Sequence, residues 1–291
     1  MPRVICAGHV NWDLTLRVDR LPEPDGEALI ESQLRAGGGS AANTAVALTG
    51  LGTDVGLIGS VGTDENGRDA REELTNAGLD LSHLLTVAGE TAVKYLIVDP
   101  TGEVMVLGNK GANEAVTPDD VDPEYVRSAD HIHLTSQRPD TAAHIAQLAA
   151  EAGIPVSFDP GRRVVDRDFS ATLPHVDYLL LNRYEAEQAE DKFDLDTPDR
   201  VVVTKFGAGG AQLITDGKLA SHAGFDVETT DSTGAGDAFA AGFIHAQLAG
   251  KLLPASLEFA AACGALASQQ SGARTSLSPA RVRAFLADHE A

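Results

Sequence analysis

The chain is 291 residues long, with 43% hydrophobic and 22% charged residues, which excludes intrinsic disorder and fibrous repeats and allows a large core. Its 43 acidic and 22 basic residues give a formal net charge of −21, so we expect no binding to nucleic acid or to anionic membranes. Asp outnumbers Glu by 26 to 17 and Arg outnumbers Lys by 16 to 6. This bias indicates a halophilic protein, the alternative being an acidic mesophilic enzyme.

Neither a membrane segment nor a disulfide framework is predicted. No run of about 18 apolar residues occurs, and the first residues, MPRVICAGHV, lack the regions of a signal peptide, so we expect a soluble, cytoplasmic protein. Cys6 and Cys263 are too few for a disulfide scaffold and lack metal-ligand spacing. We interpret both cysteines as reduced core residues.

Apolar runs typical of buried strands alternate with amphipathic helical patterns along the chain. The predicted strands are 4–10, 54–62, 130–136, 155–160, 177–182 and 200–207. The predicted helices are 40–51, 67–77, 141–152 and 183–190, one from Pro254 that ends before Gly272, and one from Pro279 to about His289. This alternation predicts an α/β fold whose mostly parallel central sheet is covered by helices on both faces, with ligands at the carboxyl ends of the strands.

Two segments, about 14–34 and 91–108, lack helical patterns and are predicted to form β-hairpins. In the second, Asp99-Pro100-Thr101-Gly102 is the predicted turn. We predict that the two segments form a small sheet that acts as a lid or a dimer contact, the alternative being surface hairpins without a role. No linker divides the chain, so residues 1–291 are predicted to form one domain with this lid.

The strongest motif is DSTGAGDAF at residues 231–239, which is followed by an apolar helical pattern. Small residues at the start of a helix predict that the N–H groups of Ala235, Gly236 and Asp237 point outward without partners. Together with the turn at Gly234, they are predicted to form an anion hole at the positive end of the helix dipole. The Asp237 carboxylate at its edge is a candidate base for removing a hydroxyl proton during phosphoryl transfer. A glycine-capped structural turn is the alternative.

A second glycine motif, GGGSAAN at residues 37–43, also opens a predicted helix. Gly38 and Gly39 allow a polar ligand to approach the backbone, and Asn43 can donate to and accept from hydroxyl groups. A plain tight turn is the alternative. The phosphate loop GxxxxGK[ST] is absent and no GxGxxG follows a strand, which argues against Walker-type nucleotide binding and against dinucleotide binding.

The two motifs, about 190 residues apart, resemble the signatures of the ribokinase-like, or PfkB-type, carbohydrate kinases. The resemblance spans nearly the whole chain and implies a three-layer sandwich with a mostly parallel central sheet and a small β-sheet lid. It also includes the GTDENG loop at 62–67 and GAN at 111–113. In this family Asn11, Asp13, Gly38, Gly39 and Asn43 are expected to hold the acceptor.

On the nucleotide side, NRYE matches the family's NxxE motif, and KFGAGG resembles its strand and glycine loop. The resemblance assigns ATP and Mg²⁺ to Asn182, Glu185, Lys205, Gly207 and Gly210, and Glu185 is expected to contact Mg²⁺ through water. It also implies a possible K⁺ site formed by main-chain carbonyls near Asp231 and Thr233 and by the loop 272–276.

The resemblance predicts an ATP-dependent carbohydrate kinase that transfers the γ-phosphoryl group to a hydroxyl of a small sugar, with Asp237 as base. Ser40 replaces a lysine common in the first motif, and Gln137 stands where ribokinases have Glu, so ribose itself is not assigned. The alternatives are a nucleoside kinase or a sugar-phosphate kinase on the same fold and, less expected, a sensor without catalysis. A sugar phosphate would need nearby cations, for which Lys94, Lys110, Arg138 and Arg162 are candidates. A homodimer through the lid is also predicted.

Other aromatic and imidazole side chains are interpreted as structural. His131 and His133 lie on one face of an apolar strand, but no third metal ligand is identifiable, which favours a core role. Trp12 is expected to pack on the opposite face of its strand from Asn11 and Asp13.

Overall fold

The computed structural model describes residues 1–101, 103–195, 197 and 200–289. The strands are β1 Arg3–Ala7, β2 Asn11–Val18, β3 Ile30–Gly38, β4 Asp54–Gly62, β5 Leu84–Val87, β6 Ala92–Val98, β7 Val104–Gly108, β8 His131–Thr135, β9 Val156–Asp159, β10 Tyr178–Asn182, β11 Val201–Lys205, β12 Ala211–Thr215 and β13 Lys218–His222. The α-helices are α1 Ser40–Gly50, α2 Glu65–Asn76, α3 Pro123–Arg127, α4 Pro139–Glu151, α5 Arg183–Glu190, α6 Ala235–Leu248, α7 Leu253–Ser268 and α8 Pro279–His289. Every helix and strand predicted from the sequence is present, with boundaries that differ by a few residues.

The large sheet has nine strands in the order β13-β12-β11-β10-β9-β8-β1-β4-β5. All neighbouring pairs from β5 through β11 are parallel, and only β12 and β13 at the far edge are antiparallel. The mostly parallel sheet predicted from the strand-helix alternation is therefore confirmed. Its carboxyl-terminal edge brings the ends of β1, β8, β9, β10 and β11 together, which is where ligands bind in such sheets.

Helices cover both faces of this sheet and form separate apolar layers. On one face, buried side chains of α1, α2, α6, α7 and α8 pack against β1 and β4. On the other face, α3, α4 and α5 pack against β8, β9 and β10. Cys6 and Cys263 are free and completely buried in the first layer, as predicted. The described residues contain no helix long and apolar enough to cross a membrane.

The second sheet has four strands in the order β3-β2-β6-β7 and contains both segments predicted as the lid. It begins earlier than expected, at Asn11, because the predicted strand 4–10 ends at Ala7. At Gly8 the φ angle is 150°, and a side chain there would overlap the Thr135 hydroxyl. The chain therefore leaves the large sheet at Gly8 and enters the small one at Asn11.

The hairpin between β6 and β7 is present. Asp99 Oδ1 accepts hydrogen bonds from the backbone N–H groups of Thr101 and Glu103, at 2.9 Å each, which fixes the turn. Gly102, the last residue of the predicted turn, lies outside the described residues. At the base of β6, Asp64 accepts from the N–H and hydroxyl of Thr91, at 3.1 and 2.6 Å, and so ties the small sheet to the start of α2.

Candidate active site

The two glycine motifs place Asn43 and Asp237 in direct contact. Helices α1 and α6 begin side by side, and Asn43 Nδ2 donates to Asp237 Oδ2 at 2.8 Å across 194 residues of chain. Burial raises the pKa of Asp237 to about 7, and nearby Asp159 adds to the rise, while the Asn43 hydrogen bond acts in the opposite direction. A carboxylate with this pKa can accept a proton near neutral pH, as a general base must.

The start of α6 forms a smaller anion hole than the sequence predicts. Gly234 adopts a φ angle of 77°, and a side chain there would overlap the carbonyl of Ala273. The prediction of three free N–H groups is wrong for Ala235, whose N–H donates to the carbonyl of Ser232 at 3.2 Å and closes the turn. The N–H groups of Gly236 and Asp237 donate to no carbonyl within the described ranges, so two donors remain for an anion.

Lys205 supplies a positive charge beside this anion hole. Its Nζ atom lies 3.6 Å from the position that a Cβ on Gly236 would take. The ammonium forms an ion pair with Asp159 Oδ2 at 2.5 Å. Burial alone would lower the pKa of Lys205, but Asp159, Glu185 and Asp237 raise it above its ordinary value, so the side chain stays charged. Charge developing on a phosphoryl group next to Gly236 would be stabilised by this ammonium.

Asn182 and Glu185 form a capping box at the first turn of α5. Asn182 Oδ1 accepts from the Glu185 N–H at 2.9 Å, and Glu185 Oε2 accepts from the Asn182 N–H at 2.8 Å. Glu185 is buried, and its pKa is raised by burial and by Asp159. These two capping bonds use Asn182 Oδ1 and Glu185 Oε2 and leave the second Glu185 oxygen for another ligand.

The described residues contain no group of three or more acidic, histidine or cysteine side chains that could enclose a metal ion. One buried carboxylate, Glu185, beside an ion pair fits a hydrated Mg²⁺ held mainly by phosphates and water. Gly207 and Gly210 lie in the tight turn between β11 and β12, at the same edge of the sheet as Lys205. The predicted nucleotide-side residues are therefore brought together around the ends of β10 and β11.

The predicted acceptor residues meet where β2 and β3 run into α1. The Asp13 carboxylate lies directly against Gly38, where any side chain would overlap it. Asn11 accepts a hydrogen bond from Asn113 Nδ2 at 2.5 Å, and Asn113 Oδ1 accepts from the Val10 N–H at 3.2 Å, so Asn113 of the GAN motif positions Asn11. Gly39, with a φ angle of 93°, is the N-cap of α1.

Buried polar atoms without a partner concentrate around this acceptor region. Among the residues that the structure describes, those without a hydrogen bond include His9 Nε2, Asn11 Nδ2, Asp13 Oδ1, Asn43 Oδ1, Thr135 Oγ1 and Gln137 Nε2. Unpaired buried polar groups are costly, and native proteins retain them where a ligand supplies the missing bonds. This set of donors and acceptors suits a ligand with several hydroxyl groups.

Arg274 is a site residue that sequence analysis missed. Its side chain is only 6% exposed, pairs with Glu73 at 2.9 Å and donates from Nη2 to the Gly38 carbonyl at 3.3 Å. A side chain at Gly37 would overlap the guanidinium. Burial lowers the pKa of Arg274, and the charges of Glu73 and Asp13 oppose that shift. No local pattern marks this arginine, because its partners lie more than 200 residues away in sequence.

Asp231 connects the two loops predicted to surround a monovalent cation. Its Oδ1 accepts from the Thr233 N–H at 2.9 Å, and its Oδ2 accepts from the Gly272 N–H at 3.0 Å. Both carboxylate oxygens are therefore engaged in loop positioning.

The four candidate cations occupy different places. Lys94 lies on β6 beside Asp13, and the charge of Arg162 acts on Glu185. Arg138 is paired with Asp140, and Lys110 is exposed. Of the four, Lys94 is the one whose strand register places it beside Asp13.

The structural interpretation of the histidines and of the tryptophan is confirmed. His131 Nε2 and His133 Nδ1 both bond the Ser157 hydroxyl at 2.8 Å, and burial lowers the pKa of each to about 3. Trp12 packs against the apolar layer under α1.

Comparison with known proteins assigns the family. The sequence profile of the pfkB family carbohydrate kinases matches residues 1–281. The chain belongs to this family. The ATP-dependent ribose-1-phosphate kinase of Halopiger xanaduensis is 56% identical to this PfkB-family chain over 293 residues, which cover 99% of each protein.

Solved structures of ribokinase-like enzymes superpose on the whole chain. The nucleoside kinase of Methanocaldococcus jannaschii has a TM-score of 0.87 at 25% identity and covers 99% of both chains. The ribokinase of Arabidopsis thaliana, solved with ribose and ATP, has a TM-score of 0.85 at 26% identity and covers 98% of both chains. The predicted ribokinase-like fold is confirmed, and this PfkB-family protein is a carbohydrate kinase, a phosphotransferase with an alcohol group as acceptor.

Proposed function

We propose that the protein transfers the γ-phosphoryl group of ATP to a hydroxyl group of a pentose 1-phosphate. The observation that carries the transfer reaction is the contact between Asn43 and Asp237 beside the free N–H groups of Gly236 and Asp237. The choice of acceptor is supported by the high identity to a ribose-1-phosphate kinase over the whole chain. Gln137 in place of the ribokinase glutamate is consistent with an acceptor other than free ribose.

The proposed chemistry assigns one task to each group. Asp237 takes the proton as the acceptor oxygen attacks phosphorus, so that a new P–O bond forms and ADP leaves. The N–H groups of Gly236 and Asp237 and the ammonium of Lys205 hold the charge on the transferred group. Asn11, Asp13, Gly38, Gly39 and Asn43 orient the acceptor hydroxyls.

Metal ions complete the proposal on the nucleotide side. Asn182, Gly207 and Gly210 would line the nucleotide, and the free oxygen of Glu185 would hold hydrated Mg²⁺, which neutralises phosphate charge when bound. Main-chain carbonyls near Asp231 and Thr233 would hold K⁺, with Gly234 and Ala235 shaping the loop between that cation and the anion hole.

The small sheet supports two further parts of the proposal. We infer that it closes over the acceptor as a lid and that two copies pair through it. Its exposed apolar residues include Leu34, Val104 and Val106, at 44%, 50% and 40% exposure. By the strand register these three side chains project from the same face as Asp13. A homodimer would cover this face.

We also infer a cytoplasmic, salt-adapted protein, which fits the free cysteines and the acidic composition.

The test is ADP formation with ATP and a panel of ribose 1-phosphate, ribose, other pentoses and nucleosides, followed by product identification. We expect a pentose bisphosphate from ribose 1-phosphate. Turnover of nucleosides alone would assign the protein to nucleoside kinases, a class to which a superposing structure belongs. Binding without ADP formation for every acceptor would support a sensor.

A further inference from the structure

Most cations around the site are neutralised by neighbouring carboxylates. Lys205 pairs with Asp159, and Arg274 pairs with Glu73. Arg167, which also bonds the Gln137 carbonyl, pairs with Glu114. Each of these charges is therefore balanced at least in part by a carboxylate. Asp13 and Asp237 make this region negative, so a doubly charged acceptor would be repelled unless another cation faces it.

Lys94 lies in the acceptor region and forms no ion pair with a carboxylate among the described residues. It lies opposite Asp13 in the parallel register of β2 and β6, so both side chains project from the same face of the small sheet. Within the described ranges no carboxylate lies at ion-pair distance from its ammonium. Its charge nevertheless reaches the site: burial raises the pKa values of Asp13 and Asp237, and Lys94 opposes both shifts.

Two buried donors, His9 and Gln137, follow the neighbouring parallel strands β1 and β8 at the carboxyl edge of the large sheet. His9 is 7% exposed, and its Nε2 atom has no hydrogen bond within the described structure. Burial lowers the pKa of His9 and the Lys94 charge adds to that shift, while Glu114 opposes it. Gln137 is 5% exposed, and its Nε2 donors are likewise unpaired among the described residues. One cation and two N–H donors are the groups that bind a phosphate.

Arg167 and Glu114 connect the segments that carry these two donors. Arg167 donates to the Gln137 carbonyl at 2.6 Å and forms an ion pair with Glu114. Glu114 in turn lies 3.7 Å from His9 Nε2. These contacts hold the main chain at Gln137 and place Glu114 beside His9 before any ligand arrives.

We propose that Lys94, His9 and Gln137 form a subsite for the phosphate group that the sugar acceptor already carries. The inference rests on the proposed function, because it concerns the acceptor of that same reaction. The subsite selects a phosphorylated sugar by charge, and Asp13 and Asp237 remain available for its hydroxyl groups. A nucleobase would leave the lysine charge unmatched, so nucleosides should be poorer acceptors.

The experiment compares wild type with Lys94→Gln and with the control Arg35→Gln at one fixed KCl concentration. Arg35 is an exposed cation of the same small sheet that alternates to the other face. Lys94→Gln should raise the KM for ribose 1-phosphate by about 10- to 100-fold, the loss expected for one charge-assisted contact. Its kcat and its ADP affinity should change little, and Arg35→Gln should match wild type.

Lys94→Arg keeps the charge and should have a KM much closer to that of wild type than Lys94→Gln has. ADP binding by calorimetry shows whether each variant is folded. A KM for Lys94→Gln within about twofold of the control overturns the subsite and leaves the proposed function standing. Equal losses in Lys94→Arg and Lys94→Gln also overturn it. Wild type that phosphorylates ribose or nucleosides but not ribose 1-phosphate overturns the proposed acceptor and the subsite together.

Discussion

Asp237 is held in an environment that destabilises its charged form, and this has consequences for both activity and stability. Its pKa is raised to about 7 by burial first and by Asp159 second. In an unfolded chain the pKa of the same carboxyl is about 3.9. The folded protein therefore binds one more proton than the unfolded chain between these two values, and the contribution of Asp237 to stability falls as pH rises through this window.

We expect Asp237→Asn to melt at a higher temperature than wild type at pH 8, because the amide removes a buried charge. At pH 5, where wild-type Asp237 is mostly protonated, the difference should shrink. Melting curves of both proteins at the two pH values measure this. In the wild type, kcat/KM should also fall as pH drops below about 7, where the base becomes protonated. A melting difference that is equal at both pH values would contradict the assigned pKa.

Glu185 in the first turn of α5 has an observed structural role and a proposed functional one. Glu185 closes the capping box with Asn182 and is proposed to order Mg²⁺ with its other oxygen. Glutamine can accept the same backbone hydrogen bond, whereas alanine cannot. The two substitutions therefore separate capping from charge.

Glu185→Gln should keep wild-type stability but require several-fold more Mg²⁺ for half-maximal turnover, with the KM of the acceptor unchanged. Glu185→Ala should show the same Mg²⁺ defect and, in addition, lose about 1 kcal/mol of stability from the broken cap. Mg²⁺ titrations of turnover and denaturant melts provide the readouts. If the Mg²⁺ titration of Glu185→Gln coincides with that of wild type, Glu185 has no role in metal binding.

Asn11 and Asp13, the proposed acceptor residues, lie on the same strand of the small sheet. We therefore expect acceptor binding to change the position of this sheet. Saturating acceptor should slow hydrogen exchange in β2, β3, β6 and β7, because closure excludes water from the reacting groups. Exchange in α4, on the far face of the large sheet, serves as the internal control. Identical exchange in the small sheet with and without acceptor would mean that the hairpins do not act as a lid.

The sequence predicts the elements of this fold better than the contacts between them. Periodicity identified the large sheet, and the glycine motifs identified both helix starts at the site. Local patterns could not show that Gly8 ends β1 against Thr135, since that contact joins strands 127 residues apart, nor that Ala235 closes a turn on Ser232. Arg274 was missed for the same reason: its role depends on Gly38 and Glu73, which folding alone brings near.

The charge of the whole molecule sets the conditions under which it is stable. A formal net charge of −21 produces self-repulsion that salt screens. We expect the melting temperature to rise substantially between dilute buffer and molar KCl. NaCl and CsCl series separate general screening, which is common to all three salts, from a specific effect of K⁺ at the loops joined by Asp231. A melting temperature that is constant or lower in molar salt would argue against a halophilic protein.

Asp237→Asn separates the proposed proton transfer by Asp237 from its contacts with ligands. The amide has nearly the same shape and can still bond the acceptor hydroxyl and Asn43, but it cannot accept the proton. With ribose 1-phosphate and ATP at saturation, we predict a kcat lower by about 10²- to 10⁴-fold, with ADP and acceptor binding retained. A variant that keeps more than about a tenth of the wild-type kcat would contradict this assignment and make the DSTGAGDAF motif a binding loop.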